Sequence, residues 1–156
     1  MPGLEDLYRE IILDHYRTPR NRGELPPPAV RAEGHNPLCG DEIQVYLSVV
    51  DGVVDDIKIM GSGCSISLSS ASMMSQAVKG KSLADVNALM SRFSALMGIA
   101  PVDPSAQEDD ASSLVPEVKL GDLEALAGVV KFPVRIKCAT LAWSTLLQAM
   151  SELPAA

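Results

Sequence analysis

Leu4, Leu7, Tyr8, Ile11, Ile12 and His15 recur at spacings of three and four residues, which predicts an amphipathic helix that Pro19 stops. A turn and extended segment, Arg20–Pro28, closes with the stiff Pro26-Pro27-Pro28 run, and a short extended stretch follows near Val30–His35. Ile43, Val45, Leu47 and Val49 then alternate strictly with polar neighbours, and Asp51-Gly52 separates them from the β-branched run Val53–Met60. That pattern predicts a hairpin with a type I′ turn. Ser65–Lys79 reads as a helix of small residues ended by Gly80. Ser82 with Asp85 resembles a capping box that opens a helix through Met97 to Gly98. Asp122–Ala127, before Gly128, reads as a short helix, and Leu141, Leu146, Ala149 and Met150 mark a last helix opened by Cys138. Few strands followed by several helices predict an α+β fold, a three-stranded antiparallel sheet with helices packed on one face.

Composition narrows the setting. The 156 residues are 47% hydrophobic, enough for one core, so a single domain over 1–156 is expected. Thirteen basic and 20 acidic residues give a net charge of −7, which excludes the clustered cations that a nucleic-acid backbone requires. No segment approaches the roughly 18 apolar residues of a spanning helix, and the N-terminus lacks the order of a signal peptide. No membrane association and a cytoplasmic location are the expectation. The acidity is local: Asp103, Glu108, Asp109, Asp110 and Glu117 fall in one base-free stretch, so 15 acids face 13 bases elsewhere. With Pro101, Pro104, Pro116 and three serines, residues 99–118 read as a mobile acidic insertion.

The three cysteines each fall where secondary structure is expected to change. Cys39 lies in the turn Asn36-Pro37-Leu38-Cys39-Gly40-Asp41, Cys64 follows Gly61-Ser62-Gly63 at a helix start, and Cys138 follows Lys137 at another. Unpaired N–H groups at a helix N-terminus favour thiolates, the form that binds metals and attacks sulfur. If the loops converge, three thiolates and Asp41 suit Zn²⁺ or an iron–sulfur cluster with a labile corner. Scattered structural or redox cysteines are the alternative. His15 beside apolar positions reads as a packing or hydrogen-bonded residue, His35 as a turn residue outside the ligand set, and Met73, Met74, Met90 and Met97 as core.

The segments Asn36–Asp41, Gly61–Ser67 and Phe132–Trp143, in that order, resemble the signature segments of the SufU/IscU/NifU N-terminal iron–sulfur assembly family, and Tyr8–Gly23 resembles its first helix. The match covers roughly residues 4–98 and 119–150 and leaves the acidic stretch outside. Lys137 where one branch has histidine, and the long link from Ser65 to Lys137, resemble the SufU branch. That resemblance implies Zn²⁺ held by Cys39, Asp41, Cys64 and Cys138, with a transient [2Fe–2S] cluster or iron on Cys39, Cys64 and Cys138 as the other possible occupant. It further implies sulfur received from a pyridoxal-phosphate cysteine desulfurase of the SufS type, within a Suf cluster-assembly complex. On this reading Cys39, on a turn between Pro37 and Gly40, is the sulfur acceptor, and Arg135 either supports it by pairing with Asp41 or the departing thiolate or forms a plain surface ion pair. The chain then acts as a sulfur carrier rather than a stand-alone enzyme. A small structural zinc-binding interaction domain without sulfur transfer is the other reading. Deleting Asp103–Glu117 is expected to raise the isoelectric point and leave the zinc content, measured by elemental analysis, unchanged; loss of metal would make the stretch part of the site.

Overall fold

A computed structural model describes residues 2–26, 29–37, 40–97 and 132–153, with Leu123, Ala125, Leu126, Gly128 and Val129; side chains are described from residue 9 onward. In chain order the elements are α1 (Pro2–Arg17), β1 (Val30–Asn36), β2 (Asp41–Val50), β3 (Val53–Ser62), α2 (Ser65–Val78), α3 (Leu83–Leu96) and α4 (Pro133–Ser151). The expected α+β architecture is present. The sheet is antiparallel in the order β1-β2-β3. Asp41, Ile43, Val45 and Leu47 point into the core while Glu42, Gln44, Tyr46 and Ser48 do not, so β2 is buried on one face only. A register shift at Ser48/Val49 interrupts that alternation and leaves Val49 half-buried. Asp51 and Gly52 both take positive φ, 53° and 76°, as a type I′ turn requires.

Helices α2 and α4 lie on the sheet and against each other, and α1 packs on α2. The outer edge of β3 is covered on both flanks. Asn21 and Gly23 exchange backbone hydrogen bonds with Ile59, and Gly80 and Lys81 do the same with Val54. Gly80, at φ 83°, turns the chain back after α2. Ser82 caps α3, its hydroxyl accepting from the Asp85 N–H at 3.2 Å.

Two close approaches set the position of α4. Gly34 on β1 faces Thr145 and Leu141, and a β-carbon there would collide with the Thr145 hydroxyl. Ser70 on α2 donates to the Ala139 carbonyl of α4, a bond that small residues on α2 permit. Ser67, Ser69, Ser70, Ser72 and Ser75 are all buried, so α2 reads as polar in sequence but serves as the central helix. Its Ser69, Ser70 and Ser75 hydroxyls donate to backbone carbonyls, which removes the cost of burying them.

Two helix expectations are revised, and one expectation is left outside the described residues. The last helix begins at Pro133 rather than at Cys138, because Pro133 sits at its first position, where a missing N–H is harmless. The described residues of the expected short helix, Leu123, Ala125 and Leu126, are buried and in 3₁₀ conformation, and the rest of it lies outside the described residues. The 99–118 stretch lies outside them as well. Among the described residues no helix is long and apolar enough to cross a membrane.

Phe93 of α3 stacks on Trp143 of α4 with centroids 5.1 Å apart, both rings buried. Phe93→Ala should cost about 3–5 kcal/mol in urea unfolding. Trp143 is the single tryptophan, so its emission should shift to the red in the same variant.

Candidate metal centre

The site forms where the start of β2, the end of β3 and the second turn of α4 meet. Asn36 ends β1 and pairs in register with Asp41, which opens β2. The inward stripe of β2 thus starts with a carboxylate, and Asp41 is only 1% exposed. Its Oδ1 accepts from the Cys64 backbone N–H at 2.8 Å. Its Oδ2 lies 3.4 Å from Asn36 Nδ2 and 3.9 Å from Cys64 Sγ.

Two glycines make that approach possible. Gly61 and Gly63 hold φ of 150° and 155°, where L side chains are rarely accommodated. A β-carbon on Gly61 would strike the Glu42 carbonyl, and one on Gly63 would strike the Asp41 carboxylate. The Gly61-Ser62-Gly63 segment therefore passes directly over the start of β2 and delivers Cys64 as the N-cap of α2. There Cys64 Sγ accepts from the Ser67 N–H at 3.5 Å, and the Ser67 hydroxyl oxygen lies 3.8 Å away.

Cys138 reaches the site differently from its expected role as a helix opener. It is fully buried inside α4, five residues beyond Pro133, so no helix terminus acts on it. What it has instead is Asn36, whose Nδ2 lies 3.6 Å from Cys138 Sγ. The Ser70 bond to Ala139 fixes the adjoining turn of α4 against α2.

Ligand atoms of Asp41, Cys64 and Cys138 all lie within 4.8 Å of one another. Two sulfur donors and one oxygen suit Zn²⁺ or another borderline-soft ion, which binds cysteine at about 2.3 Å and carboxylate at about 2.0–2.2 Å. The donors come from three separate elements, and each is supported by a hydrogen bond from a neighbouring group. The residues present fit a metal. Cys39, the fourth expected ligand, lies outside the described residues.

Arg135 and Lys137 are exposed on the first turns of α4. Among the described residues the partners of the Asp41 carboxylate are Cys64 and Asn36, and Arg135 is not one of them. His15 is fully buried on α1, with Nδ1 2.8 Å from Ser72 Oγ, in the packing and hydrogen-bonding role expected of it. His35 is exposed between Glu33 and Glu42, at 3.0 and 3.6 Å, away from the cluster. Asn36 and Ser67 were not singled out from the sequence. Asn36 shares the inward side of β1 with Ala32, whose side chain is too small to mark that face in the sequence.

A family model for the NifU-like N terminal domain matches residues 7–139. The chain is 44% identical over 150 residues to the zinc-dependent sulfurtransferase SufU of Bacillus subtilis, covering 96% of this chain and 93% of that protein. It is 40% identical to the iron–sulfur cluster assembly scaffold protein IscU of Streptococcus pyogenes, covering 96% of this chain and 86% of that protein. The crystal structure of the N-terminal part of a NifU-like protein from Brucella abortus shares the fold, with a TM-score of 0.75 at 22% identity over 94% of each chain.

Gly63→Ala should force the chain off Asp41 and cost about 1–3 kcal/mol in thermal or urea unfolding. The same variant should retain less metal than the unaltered protein after gel filtration, measured by elemental analysis.

Proposed function

The chain belongs to the family of NifU-like N-terminal domains, and on that premise we propose that it serves iron–sulfur cluster assembly as a zinc-dependent acceptor and carrier of persulfide sulfur. The observation that carries this reading is the convergence of Asp41, Cys64 and Cys138 within 4.8 Å in a chain so similar to a zinc-dependent sulfurtransferase. The donor of sulfur is a pyridoxal-phosphate cysteine desulfurase of the SufS type, and the chain works with a Suf cluster-assembly complex. A transient [2Fe–2S] cluster assembled on the same cysteines is the scaffold form of this role.

Asp41, Cys64 and Cys138, with Cys39, are the ligands in this reading. Zinc bound there supplies a positive charge that keeps its thiolates deprotonated and protected from oxidation. Closed structural zinc sites hold four cysteine or histidine ligands, so a carboxylate in the set favours a site that opens. Covalent geometry keeps the Cα of any residue two positions before Asp41 within about 7 Å of the Asp41 Cα, which puts Cys39 in reach of the cluster.

Sulfur transfer needs no outside oxidant. The Cys39 thiolate attacks the terminal sulfur of the desulfurase persulfide, a new sulfur–sulfur bond forms on Cys39, and the enzyme's sulfur–sulfur bond breaks with its electron pair leaving on the enzyme cysteine. The proton on the transferred sulfur stays with it or exchanges with water. In this reading Arg135, exposed on α4 three residues before Cys138, meets the negative charge of the incoming persulfide or of the leaving thiolate.

Incubation with a cysteine desulfurase and cysteine should add one sulfur atom to Cys39, read by peptide mass spectrometry. Cys39→Ala should accept none and fail to stimulate the desulfurase. A protein that binds zinc but gains no sulfur on any cysteine would be the structural zinc-binding interaction domain instead. Visible cluster absorption after anaerobic addition of iron would add the scaffold role.

A further inference from the structure

We propose that Asn36 is a positioning residue of the metal centre, presenting Asp41 and Cys138 together as ligands through the two hydrogens of one side-chain amide. The inference rests on reading the Asp41–Cys64–Cys138 cluster as a metal site.

Asn36 is 5% exposed, and its Nδ2 lies 3.4 Å from Asp41 Oδ2 and 3.6 Å from Cys138 Sγ. An amide nitrogen carries two N–H groups, so it can serve both acceptors at once, and contacts at the long end of the range suit a donor shared in this way. The amide orientation follows from its neighbours. Rotated by half a turn, its oxygen would face the Asp41 carboxylate oxygen with no hydrogen between them.

Three features make asparagine suited to the place. It is neutral, so it supports two anionic ligands without supplying a cation that would compete with the metal. It is short and fixed by the Asn36–Asp41 pair of the β1–β2 ladder, so its amide is held by backbone bonds rather than by a flexible stem. It also joins the sheet to α4 at the depth of Cys138, one residue before the Ser70 contact ties α4 to α2. Ligand atoms held by such outer hydrogen bonds need little reordering when an ion arrives, and loss of an outer partner typically lowers metal affinity 10- to 100-fold.

The test compares unaltered protein with Asn36→Leu, similar in volume but without a donor, by zinc competition against a chromophoric chelator. Asn36→Leu is expected to bind zinc about 10- to 100-fold more weakly while its metal-free form keeps the unaltered circular dichroism. Loaded with cobalt(II), it should show its sulfur-to-metal charge-transfer band at longer wavelength, because the Cys138 sulfur has lost an N–H donor; a purely structural role would leave the band in place. If Asn36→Leu does not fold, Asn36→Asp keeps the shape, replaces the donor by an acceptor and should weaken zinc at least as much. Affinity and band unchanged in the folded variant would overturn the role of Asn36 while leaving the metal site intact. Failure of the unaltered protein to bind zinc would remove the metal-site reading and this inference with it.

Discussion

The Asp41 carboxylate accepting from the backbone N–H of Cys64 is the contact on which the arrangement of the site depends. It joins the first residue of β2 to the cap of α2, two points separated by the whole β2–β3 hairpin. A hydrogen bond between a backbone N–H and a charged acceptor contributes about 1.5–3 kcal/mol, and its loss would strand a buried carboxylate at comparable cost. The bond also fixes an angle. With Cys64 N–H aimed at Oδ1, Cys64 Sγ falls back toward Oδ2 and the Ser67 N–H, so carboxylate and thiol face the same small volume.

Everything around this bond permits close approach. Gly61 and Gly63 lack the β-carbons that would push β3 away from β2 at that point, and Gly34 lacks the one that would push α4 from β1. The serines of α2 do the same between helices: Ser70 reaches Ala139 on one side, and Ser72 and Ser75 reach the segment that follows α1 on the other. A helix built from leucines would fill the core equally well and hold its neighbours farther apart. Position of the cysteines, rather than stability alone, accounts for a buried helix so rich in hydroxyls.

The sheet was legible in the sequence because one face of β2 is packed and the other is wet, which leaves period-two alternation on the page from Ile43 to Leu47. The turn was legible because Asp51-Gly52 is among the few pairs that accept two positive φ values. The start of α4 was misread for a related reason. Pro133, Val134, Arg135 and Lys137 are exposed, burial begins in earnest at Cys138, and apolar periodicity reports burial rather than helix length. Pro133 was the better signal, since proline marks the first turn of a helix whether or not that turn is buried. Asn36 escaped because attention to nucleophiles and ligands passes over a neutral amide, and the stripe it extends, Ala32 and Gly34, is too small to announce an inward face.

Asp41, Cys64 and Cys138 are each anchored by the fold, and that bears on the sulfur transfer proposed above. Cys138 is buried within a helix pinned by Ser70 and Gly34, Cys64 is tied by its own N–H to Asp41 and by its sulfur to Ser67, and Asp41 is locked into the β1–β2 ladder. Moving any of these would break a helix contact, a cap or a strand pair. Cys39 precedes Asp41 by two positions in the sequence and lies outside the described residues. For the sulfur transfer proposed above, displacing any of these three anchored side chains would disturb the fold, which favours Cys39 as the acceptor.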